Sequence, residues 1–443
     1  MAIKARERSE PVQQARGSDG GGMRLPTLLR RFWLWSAVVF GLTVLVGYVK
    51  YRVGYTAVNY NPLGDPLFGD LMEYPGTYQW LHTVAFFFNV SAKPVPYPLY
   101  SPVAYPPFAA MVMAGLYSAA SPVLRYLEVT AVWLAVAVWG VRRALMRVGI
   151  GGVTATLFPL TLVAISFPIA RLVHEGNVEL ALWVLTAAGV WAYLREYDDA
   201  AAVLWGLAAA MKLYPVILLV LLLPRRKWRA FAVGVAAFVA ATALALWWLG
   251  PTMGVAWRGS IHNVFGYQGI RASEWSLREL AANHSVYGLV KLAAMMTGVP
   301  LARLTLPYYA CGAVAMGWAF FGRLWRMPVA NQLLAVTAFM VMFPPVAYFH
   351  TLVHLYAPLL VLLFVAIRAE RAGVQVRGLK LTVMLFVPLF AAFTLFLFPR
   401  VFVFDGLVQV ALLVALFGCA VRFPFAVDGP EQGGHMLRTG NGV

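Results

Sequence analysis

From residue 32 to residue 421 the chain repeats one pattern, apolar runs of about 17–22 residues set apart by short polar or basic breaks. A run of that length crosses the ~30 Å hydrocarbon core of a bilayer when it is helical. Lipid offers the backbone no hydrogen-bond partner, so the runs have to be helices. The pattern predicts an all-α polytopic membrane protein. The first span covers Phe32 to Val49, and further runs fall near 103–119, 126–141, 152–170, 178–194, 200–223, 230–249, 285–299, 304–322, 329–348, 352–367, 380–398 and 402–421. Together they make about 12–14 transmembrane or half-membrane helices.

Charge settles what surrounds these helices. Only 12% of residues are charged, half the share of a soluble domain, yet the net charge is +17. A nucleic-acid partner would explain such a charge, but its placement excludes one. The positives stand in short clusters between apolar runs, at Arg30-Arg31, Arg142-Arg143, Arg225-Arg226-Lys227, Arg323 with Arg326, and Arg368 through Lys380. Cytoplasmic loops are marked in this way, and the clusters favour anionic lipid headgroups. Residues 1–23 are polar and Gly-rich, too charged for a signal peptide, and read as a disordered cytoplasmic tail. Residues 423–443 read as a second such tail, leaving one membrane domain over 24–422. Cys311 and Cys419 sit inside apolar runs as small hydrophobes, with neither a disulfide framework nor a metal spacing.

The basic clusters also constrain the path of the chain. The breaks at Leu194–Asp199 and Pro224–Arg229 both look cytoplasmic, so the run between them crosses twice or not at all. The dozen or so residues on each side of Lys212 give only ~18 Å of helix, too short for a crossing. A hairpin of two half-length helices with Lys212 at its tip satisfies both facts. By the same parity argument, one further short element lies between 101 and 147. The stretch 76–90 suits a helix lying in the membrane interface.

Candidate functional residues gather in four places. The loop from Tyr51 to Pro107 carries three carboxylates, Asp65, Asp70 and Glu73, and closes on Tyr105-Pro106-Pro107. These acids suit chemistry at the membrane surface or an ordinary solvated loop, and spacing does not choose between them. Arg171, His174, Glu175, Asn177 and Glu179 cluster at one span end, with Arg171, His174 and Glu175 on one helical face. The intramembrane Lys212 needs an anion, which a lipid-linked phosphate supplies, unless the side chain snorkels to the interface. Asn283-His284-Ser285 opens an apolar run, where Asn and Ser also serve as helix caps. His350 and His354 stand four apart. That spacing fits a metal site, but without a third ligand it points instead to hydrogen bonding with a sugar or phosphate. No P-loop, dinucleotide fingerprint or nucleophile elbow is present, so neither a cofactor nor a metal is expected.

Read in order, these residues resemble glycosyltransferase family 87, a GT-C-fold family that includes mycobacterial mannosyltransferases acting from polyprenyl-phosphate mannose. Asp70, in Gly69-Asp70-Leu71, resembles the family's catalytic aspartate. Tyr105-Pro106-Pro107 resembles its Tyr-Pro-Pro, and Lys212 with Pro215 its Lys-x-x-Pro. His174-Glu175-Gly176-Asn177 stands where Gly-Gln-x-Asn is usual, matching at Asn177 alone. Asn283 and Ser285 match, with His284 in place of Gln, and His350 matches in a segment whose Ser-Pro and Trp are replaced. The resemblance covers about Asp70 to Pro358. It implies a GT-C-like bundle, Asp70 as catalytic residue, and Tyr105, Glu175, Asn177, Lys212, Asn283, His284 and His350 as substrate-binding residues.

The implied reaction moves a hexose, mannose first among the candidates, from a polyprenyl-phosphate sugar to a glycolipid or glycan acceptor. It takes place at the outer face of a bacterial plasma membrane. A single base and a phosphate leaving group suit an inverting displacement, and Glu175 keeps a retaining route open. Two other classes compete. A lipid or sugar transporter would show a hydropathy repeat between halves, which the sequence lacks. A scaffold subunit would tolerate loss of the Asp70 carboxylate.

Overall fold

A computed structural model describes residues 26–52, 105–117, 121–249, 252–261, 280, 283–390 and 403–427. The secondary structure of these residues is helical, without strands. Among the described residues five helices are long and apolar enough to cross a membrane. They lie in α1 (Thr27–Arg52), α3 (Pro122–Arg147), α8 (Trp228–Leu249), α10 (Leu301–Gly322, extended by a 3-10 turn to Arg326), and the 3-10 helix Phe349–Leu355 continued by α12 (Tyr356–Arg371). A sixth span is a bent pair, α4 (Gly152–Ala164) and α5 (Phe167–Glu175), meeting at 56°. The bend is written in the sequence. The Ser166 hydroxyl caps α5 by accepting from the Ile169 amide at 3.1 Å, and Pro168 brings no amide that would need a partner.

The other helices are 11–16 residues long except the last, which has 20. They are α2 (Pro107–Tyr117), α6 (Glu179–Leu194), α7 (Asp198–Met211), α9 (Val286–Thr297), α11 (Val329–Met342), α13 (Leu379–Phe390) and α14 (Val403–Arg422). At 11 residues α2 is about 16 Å long and cannot cross a bilayer. It is the short element that the charge pattern requires between 101 and 147. The Lys212 hairpin is present as well. α7 ends at Met211, Lys212 is extended (φ −144°, ψ 140°), and the chain returns as a 3-10 helix over Tyr214–Leu222. Pro215 at the start of that return prevents α7 from continuing.

Small residues let the hairpin lie close against its neighbours. A Cβ on Gly206 of α7 would stand 2.3 Å from the Gly234 carbonyl oxygen of α8, and one on Gly234 would stand 2.9 Å from that of Ala202. Helices in lipid associate through this kind of backbone approach. The packed region runs past residue 422, where a tail was expected. Phe425 is fully buried, and Asn331 of α11 holds the segment, accepting from the Phe425 amide at 2.8 Å and donating to the Phe423 carbonyl at 2.6 Å. Apolar area thus prolongs order beyond the last charged residue of α14. The expected tail at 1–23 and the interfacial helix at 76–90 lie outside the described residues.

Candidate functional site

Two turns bring the site together. The first joins α5 to α6. Gly176 adopts the left-handed conformation (φ +65°) that ends α5, and the Asn177 side-chain oxygen then accepts from the Glu179 amide at 2.9 Å. Glu175 and Glu179 are thereby set one turn apart on either side of the bend. The second is the 3-10 helix Phe349–Leu355, whose two histidines face those carboxylates. His350 Nδ1 lies 2.5 Å from Glu175 Oε2, and His354 Nε2 lies 2.6 Å from Glu179 Oε1. The i,i+4 spacing of the histidines answers the i,i+4 spacing of the glutamates. The expectation that these histidines meet substrate hydroxyls or phosphate is thus modified, because each already faces a carboxylate.

Each carboxylate also faces an arginine or a lysine. Arg171 Nε lies 2.5 Å from Glu175 Oε1, as their shared helical face leads one to expect. Lys212 Nζ reaches Glu179 Oε2 at 2.5 Å across the bundle. The anion that Lys212 needs inside the membrane is therefore Glu179, a residue of the chain itself. Glu179 has no exposed surface and also accepts from the Tyr214 hydroxyl. Thr186 Oγ1 stands 2.9 Å from the other nitrogen of His354. Lys212 remains 16% exposed, with its ammonium 5.2 Å from the centre of the Tyr105 ring. Asn177 Nδ2 donates to the Tyr105 hydroxyl at 3.4 Å. Tyr105, Asn177, Lys212, Glu179 and His354 thus form one connected group.

Asn283 and His284 stand beside it. The Asn283 side chain is committed to backbone, accepting from the Ser285 and Ala347 amides and donating to the Pro345 carbonyl, all at 3.0 Å. It fixes the Pro344-Pro345 turn that delivers the histidine-bearing helix. His284 is fully buried, with Nε2 3.1 Å from Thr351 Oγ1. Burial pushes its imidazole down to about 3, so it is neutral.

The structure brings together Tyr105, Glu175, Asn177, Lys212 and His350, and sets Asn283 and His284 behind them as supports of the turn. Asp70 lies outside the described residues. Sequence reasoning gave too little weight to Glu179, His354 and Tyr214. The signal was available, since Glu179 is the only charge in the run 178–194 and stands one helical turn from Glu175. Among the described residues no group of three or more His, Cys, Asp or Glu is placed to hold a metal ion.

No curated protein and no solved structure matches the chain. A helical membrane bundle with polar residues gathered at helix ends agrees with a match to a family model. That model is glycosyltransferase family 87, aligned over residues 104–345, more than half of the chain, and the protein belongs to this family of membrane glycosyltransferases.

Proposed function

We propose that the protein transfers a hexose, mannose in the first instance, from a polyprenyl-phosphate sugar to a hydroxyl of a glycolipid or glycan acceptor. The reaction is assigned to the outer face of a bacterial plasma membrane. Asp70 takes the proton of the acceptor hydroxyl as its oxygen attacks the anomeric carbon. The bond from that carbon to the phosphate oxygen breaks, and the electron pair leaves with the polyprenyl phosphate. A leaving group that is already a phosphate needs its charge balanced more than it needs a proton. Lys212 supplies positive charge and His350 a ring N–H for this purpose, with Tyr105 and Asn177 lining the approach. One displacement of this kind inverts the anomeric centre.

The observation that carries the reading is Lys212. Its ammonium stands at the tip of a hairpin too short to cross the membrane, beside Tyr105. Among the described residues only one of its three N–H groups is spent, on Glu179. A membrane-soluble donor reaches such a cation without leaving the bilayer. The test supplies membranes with labelled polyprenyl-phosphate mannose and, in parallel, the glucose, galactose and arabinose analogues. Products are followed by mass spectrometry with and without the protein. Protein-dependent appearance of one labelled glycolipid or glycan supports the reading, and transfer from a soluble nucleotide sugar alone overturns it.

A further inference from the structure

The buried carboxylate of Glu179 has three partners, and two of them sit on the opposite side from Lys212. Oε1 receives the Tyr214 hydroxyl and His354 Nε2, while Oε2 receives the Lys212 ammonium. His354 is held in turn by Thr186, and Tyr214 belongs to the same returning arm of the hairpin as Pro215. Those partners fix the rotation and depth of the carboxylate. A lysine has four rotatable bonds and a compact point charge, so its position is only as definite as its counter-charge. Here the backbone under Lys212 is extended rather than helical, and its side chain has little else to fix it apart from the Tyr105 ring.

We propose that Glu179 is a positioning residue for Lys212. Held by His354 and Tyr214, it fixes the ammonium beneath Tyr105 with its remaining N–H groups turned toward the donor phosphate. This role rests on the donor reading given above. Glu179 touches no substrate, and it acts through the direction and charge of Lys212. A cation at this depth is costly without a counter-charge, and Glu179 Oε2 at 2.5 Å provides one whether or not donor is bound. The carboxylate, bonded on both oxygens, leaves the phosphate to occupy the open side of the ammonium rather than to compete for the same face.

The test is a double-mutant cycle on the full-length protein in liposomes, read as donor KM and kcat separately, with thermal stability recorded for each variant. Lys212→Met is expected to raise donor KM about tenfold or more, since a charge-assisted contact is lost. Glu179→Gln keeps the shape and removes the charge, and is expected to raise donor KM by a similar factor of about ten. Tyr214→Phe removes one hydroxyl only and is expected to raise it about threefold. In the Lys212→Met background neither further substitution moves donor KM, because both act through the missing ammonium. Full additivity of Glu179→Gln or Tyr214→Phe on Lys212→Met overturns the positioning role. So does an unchanged donor KM in folded Tyr214→Phe. Should Glu179→Gln fail to fold, the cycle between Tyr214 and Lys212 decides alone. An unchanged donor KM in Lys212→Met itself is a different failure, that of the donor reading.

Discussion

The proposal gives two carboxylates, Glu179 and Asp70, different parts to play. Glu179 is saturated with partners and so is a poor proton acceptor. The base proposed here, Asp70, stands in the sequence before the apolar pair Leu71-Met72, whereas Asp65 precedes a proline in a turn-like context. Asp70→Asn is therefore expected to lower transfer at least ~100-fold while leaving donor binding intact, as loss of a general base does. Asp65→Asn is expected to cost far less. Near-full transfer by a folded Asp70→Asn protein would remove the base from the mechanism. His284 supports a separate prediction. Its imidazole, held down at about 3 against an ordinary 6.5, stays neutral while the unfolded chain takes up a proton. The unfolded state then binds more protons between these values, so stability falls as pH drops from 6.5 toward 3, by about 2 kcal/mol at pH 5. Melting temperatures at pH 7.5 and pH 5 are expected to differ more for the wild type than for His284→Gln. Equal differences would show that this histidine does not titrate on unfolding.

At the scale of elements, the hairpin was legible and the histidine pairing was not. Lys212 and the flanking basic breaks dictate a reversal inside the membrane, because run length and charge parity are properties of the sequence alone. Whether His350 and His354 face substrate or protein depends on where the α5–α6 turn places Glu175 and Glu179, across 175 residues of chain. No local periodicity encodes that approach. The Asn283 clamp was half legible. Its capping role follows from Asn283-His284-Ser285 opening a run, but its bond to Pro345 joins two distant segments. The contact between α7 and α8 provides a test of element packing. Gly206→Ala gains roughly 0.5–1 kcal/mol in helix propensity. It also places a methyl group against the Gly234 carbonyl, and overpacking of this kind costs about 1–3 kcal/mol. The overpacking cost outweighs the propensity gain, so the melting temperature of Gly206→Ala is expected to fall. Gly140→Ala in α3 has open space around its Cβ and is expected to be neutral or slightly stabilising. If both variants behave alike, the close approach of α7 and α8 does not contribute to stability.

At the scale of the whole molecule, the basic clusters and the group around Lys212 lie at opposite ends of the same helices. α6 begins at Glu179 and ends beside Arg195, about 24 Å away along its axis. Next to that end the Tyr193 carbonyl accepts from Arg225, and Asp198 lies 3.4 Å from Arg225 and 3.0 Å from Lys227. The His354 turn leads into α12, which finishes with Arg368 and Arg371 and places Glu370 against the start of α1, 2.8 Å from the Thr27 amide. Arg323 donates to the last carbonyl of α14 at 3.1 Å. These pairs consume acid at the basic end, yet the positive charges there far outnumber it. By the positive-inside rule we propose that this end faces the cytoplasm, which would put the group around Lys212 in the outer half of the bilayer. Single cysteines in a chain whose Cys311 and Cys419 are replaced by serine test the assignment with a membrane-impermeant maleimide on intact cells. Lys227→Cys and Arg371→Cys are expected to react only after the membrane is opened, and a cysteine in the loop at Tyr60 without opening it. Labelling of Lys227→Cys from the outer side would invert the protein. The site would then face a compartment that holds soluble nucleotide sugars, and the argument for a lipid-linked donor would lose its ground.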